Sequence, residues 1–117
     1  MQFIVYCKDK GSGELRQKAR AEHFRHILNE LSGGTTRYVF GGPLLDPEGR
    51  IVGSVFVIDV ADRAELDRVM ARDPYFKQQI FETVEIHATR QMVPEPIPGT
   101  LQRELDKQLA KDAGKPG

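Results

Sequence analysis

Residues 51 to 72 read IVGSVFVIDVADRAELDRVMAR, and this stretch decides the fold. Ile51 to Val60 is a nearly unbroken apolar run and reads as a strand. Asp62 and Glu65 follow at capping-box spacing. Leu66, Val69 and Met70 then form an apolar stripe, so Asp62 to Arg72 reads as a helix. The strand carries Val55 and Val57 on one face, with Ile51 and Phe56 shifted to the other through Val52, Ser54 and Ile58. A strand apolar on both faces asks for two covers.

Upstream, Arg37 to Phe40 is a short strand that Gly41-Gly42-Pro43 interrupts, and Asp46-Pro47-Glu48-Gly49 has turn chemistry. The two strands around that turn form a hairpin with a wide connection. The Gly-Gly-Pro is either a bend or a place where a ligand approaches the backbone closely. Further back, Gln2 to Cys7 (QFIVYC) is a strand with apolar residues on both faces, and Lys8 to Gly13 is a polar loop. Glu14 to Leu31 is helical, with Phe24, Ile27, Leu28 and Leu31 at i, i+3, i+4 and i+7. That stripe is the expected inward face, and Ser32-Gly33-Gly34 ends the helix.

Downstream, Asp73 and Pro74 restart a short helical segment as N-cap and first-turn proline. Val84 to Thr89 is the last strand. Val93 to Gly99 contains three prolines and cannot join a sheet. Leu101, Leu105 and Leu109 line a short amphipathic helix expected to lie on the domain or on a partner, and Lys111 to Gly117 should be disordered. The order is β-α-β-β-α-β: an α+β domain over residues 1–92 with a Pro-rich extension over 93–117. Both helices should pack on one face of a four-stranded antiparallel sheet. The two-sided strands then predict a homodimer, in which the same sheet of another copy supplies the second cover.

A chain of 117 residues is one domain's worth. Lys plus Arg and Asp plus Glu number 17 each, so no basic excess marks a dedicated nucleic-acid or anionic-membrane surface. Cys7 is the lone cysteine, which excludes an intrachain disulfide. It reads as a buried small hydrophobe, since no base stands near it to make it a nucleophile. No apolar run approaches the roughly 20 residues of a membrane span, and the N-terminus lacks a signal-peptide pattern. A cytoplasmic location is the default expectation. No phosphate loop, nucleotide fingerprint, zinc quartet or nucleophile elbow is present.

Chemistry concentrates around the first helix. Turning at about 100° per residue, His23 falls about 90° from the centre of the apolar stripe, where a pocket wall would stand. His26 falls on the far, solvent side. Their rings diverge by about 60° and no Cys or Glu joins them, so no metal is expected. Arg16 and Arg20 fall near the side of His23 and could neutralise an acidic substrate or reach out to solvent. Asp73 is explained as an N-cap, yet it also continues the inward stripe of the second helix. A carboxylate beside an imidazole orients the ring and raises its basicity.

Three features occur in order: Arg20-Ala21-Glu22-His23 in the first helix, Gly41-Gly42-Pro43 after the second strand, and Asp73-Pro74-Tyr75 after the second helix. In this the chain resembles the YciI-like, or YCII-related, family over residues 1–92. The resemblance implies a ferredoxin-like dimeric α+β barrel. It also implies a pocket lined by a histidine and an aspartate, here His23 and Asp73, with Arg16, Arg20, Gly42, Pro43 and Tyr75 as candidates to contact a small-molecule ligand. The family includes a dehydrochlorinase of a chlorinated hydroxyhydroquinone. The expected function is cofactor-independent proton abstraction or elimination on a small cyclic or aromatic compound. The alternatives are a barrel enzyme of the muconolactone-isomerase or small-monooxygenase kind, and a non-enzymatic ligand-binding or interaction module. The fold does not choose among them.

Overall fold

The computed structural model of the chain describes residues 1–33 and 36–114. They form β1 (Gln2–Asp9), α1 (Glu14–Gly33), β2 (Arg37–Leu45), β3 (Ile51–Asp59), α2 (Arg63–Arg72), α3 (Pro74–Lys77), β4 (Phe81–Thr89) and α4 (Thr100–Ala113). The strands make one sheet in the order β2-β3-β1-β4, antiparallel throughout. This is the ferredoxin-like α+β arrangement that the element order predicts.

Register decides which side chains meet the helices. Val5 pairs with Phe56 on β3 and with Ile86 on β4. Strand alternation therefore sends Phe3, Val5, Cys7 and Asp9 to the helix side together with Ser54, Phe56 and Ile58. The apolar ones pack with Ala19 of α1, Leu66 and Val69 of α2, and Tyr75 of α3 into the core. Each large apolar side chain buried there contributes about 1.5–3 kcal/mol. Gly53 is required by close packing: a Cβ on it would lie 2.1 Å from the Cys7 carbonyl oxygen of the neighbouring strand.

The opposite sheet face carries Ile4, Tyr6, Phe40, Val55 and Val57 in register, half-buried or exposed. Lys8, Glu85 and His87 share it. An apolar centre with a charged rim is what an interface needs.

Several expectations need correction. Gly41-Gly42-Pro43 does not interrupt β2, which runs unbroken to Leu45. As the edge strand it tolerates a proline, and its irregularities fall at Tyr38/Phe40 and Leu44/Leu45 instead. The inward face of α1 is not the stripe of Phe24, Leu28 and Leu31, which are 49%, 65% and 64% exposed. Arg16, Ala19 and His23 face inward: Ala19 packs in the apolar core, while Arg16 and His23 meet buried carboxylates at a pocket. The helix ends with Ser32 and Gly33 inside it, and Gly34 lies outside the described residues. Finally, α4 continues through Ala113, past Lys111 where the helix was expected to have ended.

Helix α2 starts as its capping signal predicts. Asp62 Oδ1 accepts from the Glu65 N–H at 2.9 Å, and the Ala61 N–H donates to Glu65 Oε2 at 2.7 Å. Among the described residues no helix is long and apolar enough to cross a membrane.

Candidate functional site

Asp73 stands at a junction of two helices. Its N–H closes α2 on the Met70 carbonyl, and its side chain opens α3 by accepting from the Tyr75 N–H at 2.9 Å. Pro74 at the first position of α3 needs no acceptor. The extended backbone at Asp73 turns its carboxylate inward, where it is 3% exposed. There it meets His23, one turn beyond Ala19 on the inward face of α1. His23 Nδ1 lies 2.8 Å from Asp73 Oδ1, with both side chains buried.

The acceptor fixes the proton. Oδ1 of the carboxylate also takes the Tyr75 N–H, so Nδ1 is the donor, and in the neutral ring the lone pair then sits on Nε2. Nε2 has no hydrogen-bond partner among the described residues, and His23 lines a cavity of about 380 Å³. The ring is held flat as well: it stacks on Tyr75 with centroids 3.8 Å apart and planes 7° from parallel, and Phe56 meets it edge-on at 6.1 Å. A volume near 400 Å³ suits a ligand of one or two rings.

The cavity gathers what the sequence scattered. Arg16, Arg20, Gly42, Pro43 and Tyr75 all line it, beside Gly41, Ser54, Tyr38 and Phe56. The two arginines differ in state. Arg16 forks onto Asp9, Nε to Oδ2 at 2.7 Å and Nη2 to Oδ1 at 2.8 Å, and also donates to Ser54 Oγ at 2.8 Å. Burial works against its charge, but the hydrogen bonds and charge of Asp9 outweigh burial and hold its pKa above the ordinary value. Its guanidinium lies 4.9 Å from the Tyr75 ring centroid, the floor of the histidine stack. Arg20 packs over Phe24 at 5.1 Å and has no carboxylate partner among the described residues. It is the lining cation with charge to spare.

Burial pushes the Tyr75 phenol above its ordinary pKa, partly offset by the Arg16 charge, and pushes Tyr38 up further. Both phenols are therefore neutral donors at physiological pH. The Cys7 thiol, fully buried behind the site, is pushed by burial to about 12 and is inert.

His26 is not on the solvent side. It is half-buried and its Nε2 is enclosed without a hydrogen bond, because the inward arc of α1 is centred on His23 and reaches His26. No cluster of His, Cys, Asp or Glu among the described residues could hold a metal ion. Asp9 and Ser54 were missed. Alternation through Phe3, Val5 and Cys7 points Asp9 inward, but the polar run KDKGSG hid it in a loop. Such a pocket can accept a proton at Nε2 of a neutral ring and stabilise negative charge at Arg20, beside the aromatic side chains of Tyr38, Phe56 and Tyr75.

The sequence matches the YCII-related domain model over residues 1–90. No curated protein matches the chain. Among solved structures it is similar to 5-chloro-2-hydroxyhydroquinone dehydrochlorinase from Burkholderia phenoliruptrix AC1100, in complex with 2,5-dihydroxybenzoquinone. The TM-score is 0.66 and the identity 22%, covering 78% of this chain and 95% of that one. It also matches protein Atu4242 from Agrobacterium tumefaciens at TM-score 0.49 and 17% identity, covering 83% of this chain and 99% of that one. At these identities the likeness is one of fold. The family match spans most of the chain, from the first strand to the end of the last: this protein belongs to the YCII-related family.

Proposed function

We propose that the protein is an enzyme that moves a proton on a small cyclic or aromatic compound, without a cofactor, with His23 as general base and Asp73 as the group that orients it. The observation that carries the reading is the 2.8 Å contact of Nδ1 with Asp73 Oδ1, which leaves Nε2 free at a cavity wall. His23 Nε2 takes a proton from an acidic O–H or C–H of the ligand. The electron pair left behind spreads into the ring or enol, toward the Arg20 guanidinium. In an elimination the pair expels a leaving group such as chloride, and the imidazolium returns its proton to solvent. In an isomerisation the proton goes back to another carbon. Asp73 stabilises the imidazolium in between.

Arg20, Gly42, Pro43 and Tyr75 are assigned to ligand binding. Arg16 serves the same site as the cation beneath Tyr75, its charge already matched by Asp9. The protein acts as a homodimer in which the apolar sheet face around Ile4, Val55 and Val57 meets its copy. The dehydrochlorinase fold and its quinone ligand support the choice of ring compounds as substrates.

The test is turnover on a panel of chlorinated hydroquinones and enol-lactones, read as chloride release and ultraviolet change. His23→Gln and Asp73→Asn should each lower kcat/KM by about 10²- to 10⁴-fold with the fold intact. Turnover unchanged in both variants would refute the reading.

A further inference from the structure

We propose that Gly41 sets the size of the ligand that the site admits: its missing side chain leaves room in the wall near His23 for a ring that carries a side group. This deepens the reading of the site as a pocket for ring compounds and rests on it.

A glycine inside a strand needs a reason, because it loses more backbone freedom on folding than alanine would and packs nothing. Gly53 has its reason in the Cys7 carbonyl oxygen that a Cβ would strike. Gly41 has no reason of that kind. Its backbone lies outside the left-handed region, unlike that of Gly49 or Gly99. It stands between the two irregularities of β2, at Tyr38/Phe40 and Leu44/Leu45, and in neither. A Cβ on Gly41 would meet a single atom within 4 Å, Phe56 Cδ1 at 3.5 Å, which is ordinary van der Waals contact. The strand would accept an alanine here without strain.

What the missing side chain leaves is cavity. Gly41 pairs with Phe56 of β3, so its open side faces the helices as Phe56 does. Gly42 is turned the other way, and its Cβ would lie 3.7 Å from Phe40 Cζ on the opposite face. Both glycines line the cavity, Gly41 through the space above its Cα and Gly42 through backbone alone. Tyr38, Gly41 and Pro43 are the cavity-lining residues of β2 on the helix side, and only Gly41 among them has no side chain. Phe56 links this gap to the base. Its ring touches the Gly41 position and lies 6.1 Å, centre to centre, from the His23 ring. A ligand ring seated against Phe56 with its acidic position at Nε2 therefore has Gly41 beside it, and a group carried on that ring extends over the bare Cα.

The experiment measures the binding of hydroquinone, methylhydroquinone and phenylhydroquinone to the full chain, to Gly41→Ala and to Gly41→Val, by titration calorimetry under argon, with urea unfolding of each protein. The parent should bind phenylhydroquinone more tightly than hydroquinone. Affinity for phenylhydroquinone should fall about tenfold or more in Gly41→Val and by less in Gly41→Ala, while that for hydroquinone changes by less than about twofold. The urea midpoint of Gly41→Ala should stay level or rise. A lower midpoint in Gly41→Ala would mean that the fold itself needs the glycine, and would overturn the proposal. So would a parent that rejects phenylhydroquinone, or an equal change for all three probes, either of which leaves the His23 reading to its own turnover test. A parent that binds none of the three would overturn both.

Discussion

Asp9→Ala should cost far more than an ordinary ion-pair deletion. Asp9 and Arg16 meet through two hydrogen bonds of 2.7 and 2.8 Å, with side chains 5% and 6% exposed. A solvated pair of this kind is worth about 0–1 kcal/mol. A buried one, broken from one side, costs about 3–5 kcal/mol because a charge is left without its partner. Here the Arg16 cation would keep only the Ser54 hydroxyl and the Tyr75 ring. With a urea slope of about 2 kcal/mol/M for a domain of this size, the unfolding midpoint should fall by about 2 M. The chain has no tryptophan, so far-ultraviolet circular dichroism is the suitable probe. Replacing both partners, Asp9→Leu with Arg16→Met, removes both charges and should return to within about 1–2 kcal/mol of the parent, the remainder coming from the partner that Ser54 loses. A single variant within about 1 kcal/mol of the parent, or a double variant equal to the sum of the singles, would refute the reasoning.

Other outcomes follow from particular atoms. Gly53→Ala should destabilise by about 2–4 kcal/mol in the same urea assay, since its Cβ cannot fit 2.1 Å from the Cys7 carbonyl oxygen without parting β1 from β3. Cys7 should resist iodoacetamide in the folded protein from pH 7 to 9 and react on unfolding. Its thiol is raised from 9.0 to about 12, so the folded state holds the proton longer: the stability linked to it is complete below pH 9 and declines as pH climbs toward 12. Arg20→Met should weaken binding of an anionic ring compound about tenfold or more and leave binding of a neutral analogue nearly unchanged, as titration calorimetry would show.

The fold was legible because its signals are local. The capping pair Asp62 and Glu65, the Asp73-Pro74 restart and the two-sided strands each determine one element, and the four-stranded order follows from their sequence. The Gly-Gly-Pro was misread because a proline excludes only a central strand, and nothing local says that β2 is at the edge. The face of α1 was misread for a deeper reason. Hydrophobicity marks what needs cover, not where the cover is. Phe24, Leu28 and Leu31 point away from their own core, and the helix turns Arg16 and His23 inward because Asp9 and Asp73 wait there. Those pairings span 7 and 50 residues, and only the second had a family pattern to announce it.

The state of the His23 ring tests the account most directly, because it needs no substrate. Nitrogen-15 spectra of histidine-labelled protein above the titration of the ring should show His23 with its proton on Nδ1 and an unprotonated Nε2. That pattern should weaken or invert in Asp73→Asn. A His23 protonated on Nε2, with Asp73→Asn leaving it unchanged, would contradict the claim that Asp73 holds this histidine as a base facing the pocket.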